Sequence, residues 1–152
     1  ARIYLIGPAA TGQTALLQPV ARTADTATAL IRSLLSGPND TEVAQQYRTA
    51  VPLGTTLRSA TLQINTLRVD VTEQLLQLSG ADLVDALAQI VFTASELDGV
   101  RQVKVLVNGA EQQWPAGNGT LQSEPLTVYD FPGRVASAQP PYPAVPTPTD
   151  GS

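Results

Sequence analysis

Three close carboxylate pairs, Asp70 with Glu73, Asp82 with Asp85, and Glu96 with Asp98, are the side chains best suited to acid–base work or to holding a hard cation. Each pair also has an ordinary place to sit. Asp70 falls on the polar phase of an alternating strand, and Glu73 follows the capping residue Thr72. Asp82 lies near a helix start, where the helix dipole favours negative charge, and Asp85 lies on that helix's polar side. None shows the D-x-[DN]-x-[DN]-G spacing of a calcium loop. The sequence has no histidine and no cysteine, which removes the commonest general base, the thiolate nucleophile and the soft-metal ligands. Ser79-Gly80 lacks the preceding glycine of a nucleophile elbow, and a Ser–Lys dyad would have to use Lys104, the only lysine. Gly7-Pro-Ala-Ala-Thr-Gly12 follows a strand as a phosphate loop would, but it has no Gly-Lys-Ser/Thr and Pro8 removes an amide. Gly117-Asn-Gly119 is short and reads as a turn. We therefore expect no catalytic residue, no metal and no cofactor, with a two-carboxylate hydrolase as the weakest alternative.

Binding is the better prospect. Arg68 and Asp70 project from the polar face of one strand and Lys104 from another, while Trp114 and Tyr129 lie in or after the last hairpin. These five make up the candidate interaction surface, although core packing with a hydrogen-bonded polar edge is the favoured reading of Trp114 and Tyr129. Nine basic against 13 acidic residues give a net charge of −4. The basic residues are scattered, which argues against nucleic acid, because phosphate binding needs clustered cations. Charged residues are only 14% of the chain, so the surface is built largely from Thr, Gln, Ser and Asn. No apolar run approaches the ~20 residues that span a bilayer. Asn39-Asp-Thr41 and Asn118-Gly-Thr120 match the glycosylation triplet, a pattern common by chance.

The elements that position these residues can be read from periodicity. Arg2-Ile-Tyr-Leu-Ile6 is a first strand, and residues 16–22 form a partner pushed toward a sheet edge by Pro19. Residues 23–36 read as a helix with Ala27, Leu30, Ile31, Leu34 and Leu35 inward, Asp25 in its first turn and Gly37-Pro38 as its stop. Residues 39–48 add one or two capped turns, and residues 72–78 another. Residues 57–63 and 67–71 form an antiparallel hairpin across Ile64-Asn-Thr66, the second strand alternating cleanly with Leu67, Val69 and Val71 on one face and Arg68 and Asp70 on the other. The longest helix lies within residues 79–99. Leu83, Val84, Leu87, Ile90, Val91, Ala94 and Leu97 recur at helical spacing, Ser79 caps by accepting from the Asp82 amide, and Gly99 ends it. Gln89 adjoins the buried face, where a hydrogen bond would fix this helix to the sheet. Residues 100–107 alternate with Val103, Val105 and Val107 inward. Asn108-Gly109 signals a type I′ turn into a return strand, residues 110–114. Residues 126–131 are an apolar piece that docks on the sheet. The fold class is α+β: a mostly antiparallel sheet with two main helices on one face, in the order β-α-β-β-α-β-β. Residues 1–131 form the domain, and residues 132–152 a proline-rich disordered tail that serves as a spacer or, less favoured, as an SH3-type ligand.

Several segments in order resemble the GerMN domain of sporulation and germination lipoproteins. Ile3-Tyr-Leu5 resembles its opening strand, and Leu30-Ile-Arg-Ser-Leu-Leu-Ser-Gly-Pro38 its helix ending in Gly-Pro. Val51-Pro-Leu-Gly-Thr-Thr-Leu57 is similar to its "ip-x-GT-x-l" link, and Leu67-Arg-Val-Asp-Val-Thr72 to its "VDls" strand. Val84-Asp-Ala-Leu-Ala-Gln-Ile-Val-Phe-Thr93 resembles the "aQlVyT" helix, and Val103-Lys-Val-Leu-Val-Asn-Gly109 the strand that ends in "dG". The resemblance implies a fold related to the ring-building motifs of spore-channel proteins and a non-enzymatic interaction or scaffold role in the cell envelope. It also implies extracytoplasmic placement by a lipidated cysteine, which would lie upstream of Ala1. Envelope or membrane proteins, a sensor kinase or spore-channel component among them, are the implied partners, with self-association as a further expectation. A module that binds cell-wall glycan or peptide is the alternative.

Overall fold

The computed structural model describes residues 2–9 and 15–132. The proline-rich tail from residue 133 and residues 10–12 of the first glycine-containing stretch lie outside the described residues. Among the described residues, eight strands and three α-helices follow one another: β1 (Arg2–Ile6), β2 (Leu17–Ala21), α1 (Ala27–Leu35), α2 (Asp40–Ala44), β3 (Leu57–Gln63), β4 (Thr66–Val71), α3 (Gly80–Ala94), β5 (Gln102–Val107), β6 (Ala110–Glu111), β7 (Trp114–Pro115) and β8 (Leu121–Gln122). Short 3-10 turns cover Glu73–Gln77 and Val128–Asp130.

The main sheet runs β3-β4-β5-β6. β3–β4 and β5–β6 are antiparallel as the hairpin signals predict, but the central pair β4–β5 is parallel. Parallel strands need a crossover, and α3 is that crossover. In-register pairs Leu67–Val103, Val69–Val105 and Val71–Val107 put six buried aliphatic side chains on the inner face. Asn108 and Gly109 both adopt positive φ, as the type I′ turn requires. The return strand is shorter than its alternation suggests. β6 ends at Glu111, and Trp114 instead starts a separate small hairpin, β7–β8, across the loop at Gly117 to Gly119.

β1 and β2 form their own two-stranded sheet. Along its other edge β1 meets side chains of α3. The Tyr4 amide donates to Thr93 Oγ1 at 3.0 Å, and the Tyr4 carbonyl accepts from Gln89 Nε2 at 3.1 Å. Ile6 exchanges both backbone bonds with Arg48. Pro19 lies opposite Tyr4, so its missing N–H falls at a position that makes no ladder bond, and proline is tolerated there. Gln89 is fully buried and also accepts from the Ala50 amide at 2.7 Å. The expected helix-to-strand bond of Gln89 is thus present, and it extends to the connection after α2.

Helix starts depart from the sequence reading in informative ways. α1 begins at Ala27 because Thr26, whose hydroxyl accepts from the Ala29 amide, caps it. Asp25 therefore precedes the helix and does not occupy its first turn. Ser79 holds the N-cap position of α3 but makes no capping bond, so the predicted bond to the Asp82 amide is not formed. Thr72 likewise caps no turn; its hydroxyl accepts from the Thr56 amide and ties β3 to β4. α2 carries a full capping box, with Asn39 accepting from the Glu42 amide and Glu42 accepting from the Asn39 amide.

Glu42 also forms a two-pronged ion pair with Arg22, and both side chains are largely buried. The Arg22 guanidinium, helped by the Asn39 amide, holds the Glu42 carboxyl below its ordinary value despite burial. A depressed folded value means that this stabilisation is complete above the unfolded value of 4.5 and is lost as pH falls through the folded one. Urea midpoints measured from pH 6 to pH 3 are expected to fall less steeply below pH 4.5 in Glu42→Gln than in the parent. Equal slopes would show that the pair contributes nothing.

The β3–β4 turn holds Ile64 at φ +58, 97% exposed. A β-branched residue is strained in the left-handed region, and nothing packs against it in return. Ile64→Gly is expected to stabilise the domain by about 1 kcal/mol, read as a higher urea midpoint.

Candidate functional site

The outer face of the main sheet carries Arg68, Asp70 and Lys104. Arg68 and Lys104 are direct neighbours across β4–β5. Lys104 pairs with Glu111 at 3.0 Å and also reaches the Ser123 carbonyl at 3.4 Å. This pairing holds the Glu111 carboxyl below its ordinary value, with a smaller contribution from Arg68. Asp70 accepts from the Gly109 amide at 2.9 Å and lies 3.6 Å from Arg58. This face is thus laced by its own charge pairs and fastens the Asn108-Gly109 turn. Glu73 contributes to the same fastening by accepting from Asn108 Nδ2 at 3.0 Å, which lowers its carboxyl value.

The two aromatic candidates are elsewhere. Trp114 is 5% exposed, and its indole N–H donates to the Val105 carbonyl at 2.9 Å. That is the core reading of this residue, with the polar edge satisfied. Tyr129 is 87% exposed on the 3-10 turn after β8 and lines a small hollow with Asp130 and Pro132. The five sequence candidates therefore do not form one patch: three share the sheet face, Trp114 is interior, and Tyr129 stands beyond the β5 edge.

Glu96, from the third carboxylate pair, has structural work. Glu96 receives Arg2 at 2.8 Å and the Tyr4 hydroxyl at 3.0 Å, which pins the start of β1 to the end of α3. Burial first, and then this bond, pushes the Tyr4 phenol up to about 12. Among the described residues, no group of three or more Asp or Glu side chains is placed to hold a metal ion.

A site that the sequence did not reveal lies between the 3-10 turn Glu73–Gln77, the first turn of α3 and the β7–β8 hairpin. It is an open groove of about 640 Å³. Leu76 and Leu121, 52% and 59% exposed, form its lips, and the nearly buried Trp114 also lines it. Gln112, Gln113 and Asn118 supply neutral amide groups, and no charged side chain lines it among the described residues. A groove of this kind suits an uncharged, largely apolar segment with a few hydrogen-bonding groups. The sequence held only a partial signal. Leu75 and Leu76 are adjacent in a 3-10 turn, which buries one and exposes the other, and Leu121 follows a glycine loop that reads simply as a turn.

Comparison with known proteins addresses the fold. The sequence profile of the Germane family, described as sporulation and spore germination, matches residues 2–113. No curated protein sequence is significantly similar. The tandem GerMN domains of the sporulation protein GerM from Bacillus subtilis superpose with a TM-score of 0.64 at 19% identity, covering 85% of this chain and 46% of that one. This chain therefore spans about half of that two-domain structure. The first GerMN domain of the same protein gives a TM-score of 0.63 at 19% identity, with 83% and 95% coverage. A candidate lipoprotein from Clostridium perfringens gives 0.59 at 18% identity, with 90% and 91% coverage. At these identities the structures speak for the fold alone. Among the described residues, no helix is long and apolar enough to cross a membrane.

Proposed function

The chain belongs to the Germane family of sporulation and spore germination, the GerMN-domain family, and from that membership we propose that it is a non-enzymatic interaction domain of an extracytoplasmic envelope lipoprotein. The observation that carries the interaction role is the uncharged groove with its two half-exposed leucine lips. Leucine side chains left in water at the rim of a concave site gain on docking, at about 25 cal/mol per Å² of apolar area covered. The partner that fits is a neutral apolar segment of an envelope or membrane protein. A cell-wall sugar fits less well, because sugars stack on an open aromatic face and Trp114 is buried. The main charged groups of the sheet face already serve one another, so that face is the weaker docking candidate. The lipoprotein placement rests on the family and on the candidate lipoprotein among its structural relatives.

The test is capture of envelope proteins by the immobilised chain, comparing the parent with Leu121→Asp and Arg68→Ala. The expected result is a partner retained by the parent and by R68A and lost at least tenfold by L121D. Equal retention by the parent and L121D would overturn the groove as the docking surface.

A further inference from the structure

We propose that the groove is a binding site for a neutral proline-rich segment in polyproline II conformation, and that its occupant is this chain's own segment, residues 139–148. The inference rests on the docking reading above and names what the groove holds. Its first support is proximity. Pro132, the last described residue, lies against Gly117, where an added Cβ would come within 3.6 Å of its ring, and the Gly117 amide donates to the Asp130 carbonyl at 2.7 Å. Gly117, Asn118 and Gly119 form one rim of the groove. The chain thus leaves the domain on the far side of the very loop that bounds the site.

Reach is sufficient. Pro140 lies eight positions after Pro132, and in a polyproline II path those eight steps span roughly 25 Å. That is enough to round the tip of a two-residue-stranded hairpin and enter the groove from its rim.

Chemistry matches on both sides. Residues 135–149 contain no charged side chain, and none lines the groove among the described residues. Pro140, Pro141, Pro143, Pro146 and Pro148 favour the extended left-handed helix, which loses little entropy on binding and leaves its carbonyls free to accept. The Gln112 and Gln113 amides can donate to those carbonyls. Tyr142 and Val145 are three residues apart and so return to the same side of a three-residue-per-turn helix. In the proposed complex these are the two side chains that would cover Leu121 and Leu76. Tethering raises the segment's effective concentration to the millimolar range, so modest intrinsic affinity suffices for occupancy. A partner would then have to displace the segment, which makes it a built-in competitor for the docking surface.

The experiment uses the full chain. With no native cysteine and a single tryptophan, Ala144→Cys accepts one nitroxide label, and the Trp114 indole N–H is one resolved resonance. In the labelled chain, the indole signal and the Leu121 amide are expected to lose at least severalfold intensity relative to the reduced label. Tyr142→Ala in the same background is expected to restore them, and so is Leu121→Asp, read at the indole, or Leu76→Asp should L121D disturb the fold. Full intensity in the labelled parent would overturn the proposal. So would loss that persists in all these variants, since an undocked tether would cause it. Loss seen only when labelled unenriched chains are mixed with isotope-enriched unlabelled ones would also overturn it, by making a second copy the occupant. The two readings fail separately. L121D that loses envelope capture while the indole loss persists sinks the segment alone, whereas restored intensity with unchanged capture sinks the groove as the partner's site.

Discussion

Gln89→Leu is expected to lower the free energy of unfolding by about 2–4 kcal/mol, although leucine matches the volume and is the more apolar residue. The reason lies in what glutamine leaves behind. Its amide donates to the Tyr4 carbonyl and the Thr49 hydroxyl, and its oxygen receives the Ala50 amide. Removing it orphans a buried carbonyl and a partly buried N–H at once, and each such group costs about 1–3 kcal/mol. The apolar gain offsets only part of that. Gln89→Glu, which keeps the acceptor for Ala50 but loses the donor for Tyr4, is expected to be destabilising as well. Chemical denaturation measures both, and amide exchange at Ala50 is expected to speed up in Q89L. A Q89L loss below about 1 kcal/mol would mean that water replaces the side chain and that this cluster does not hold β1 to α3.

Phe131→Ala carries the other large effect, an expected loss of about 3–4 kcal/mol. Phe131 is fully buried and belongs to the same core as Trp114 and Leu126, yet all three lie beyond residue 113, where the family match ends. Leu126 joins β5 through paired backbone bonds with Val103. The segment from Trp114 to Phe131 is therefore proposed as an integral part of the domain. Tyr129→Ala, two residues away but exposed, is the matched control and is expected to stay within about 0.5 kcal/mol. Similar urea midpoints for the two variants would place the domain boundary before this segment.

Local patterns made much of the fold legible. Alternation located β4 and β5, because a half-buried strand must place every second side chain inward. Helical spacing found α1 and α3, and Asn108-Gly109 found its turn, because few other residue pairs tolerate two positive φ values. Helix starts were less legible. The helix read from residue 23 starts only at Ala27, capped by Thr26, while Ser79, which read as a cap, makes no capping bond. Whether a hydroxyl bonds its own helix depends on a backbone geometry that composition does not set. The core reading of the two aromatics holds for Trp114, whose indole N–H meets the Val105 carbonyl, and fails for Tyr129, which is exposed. An aromatic with a polar edge fits either place, and only the neighbouring chain decides it.

The sequence by itself determined which residues are apolar at which period, and hence an α+β domain built without histidine or cysteine. Tertiary structure alone decided that β4 and β5 run parallel, since alternation is identical in either direction and only the path of α3 between them distinguishes the two. It alone supplied Gln89 and Thr93 as partners for the β1 backbone. It alone brought Leu76 and Leu121, 45 residues apart in the chain, to the lining of one groove, because such a site is a relation between elements and leaves no period in either of them.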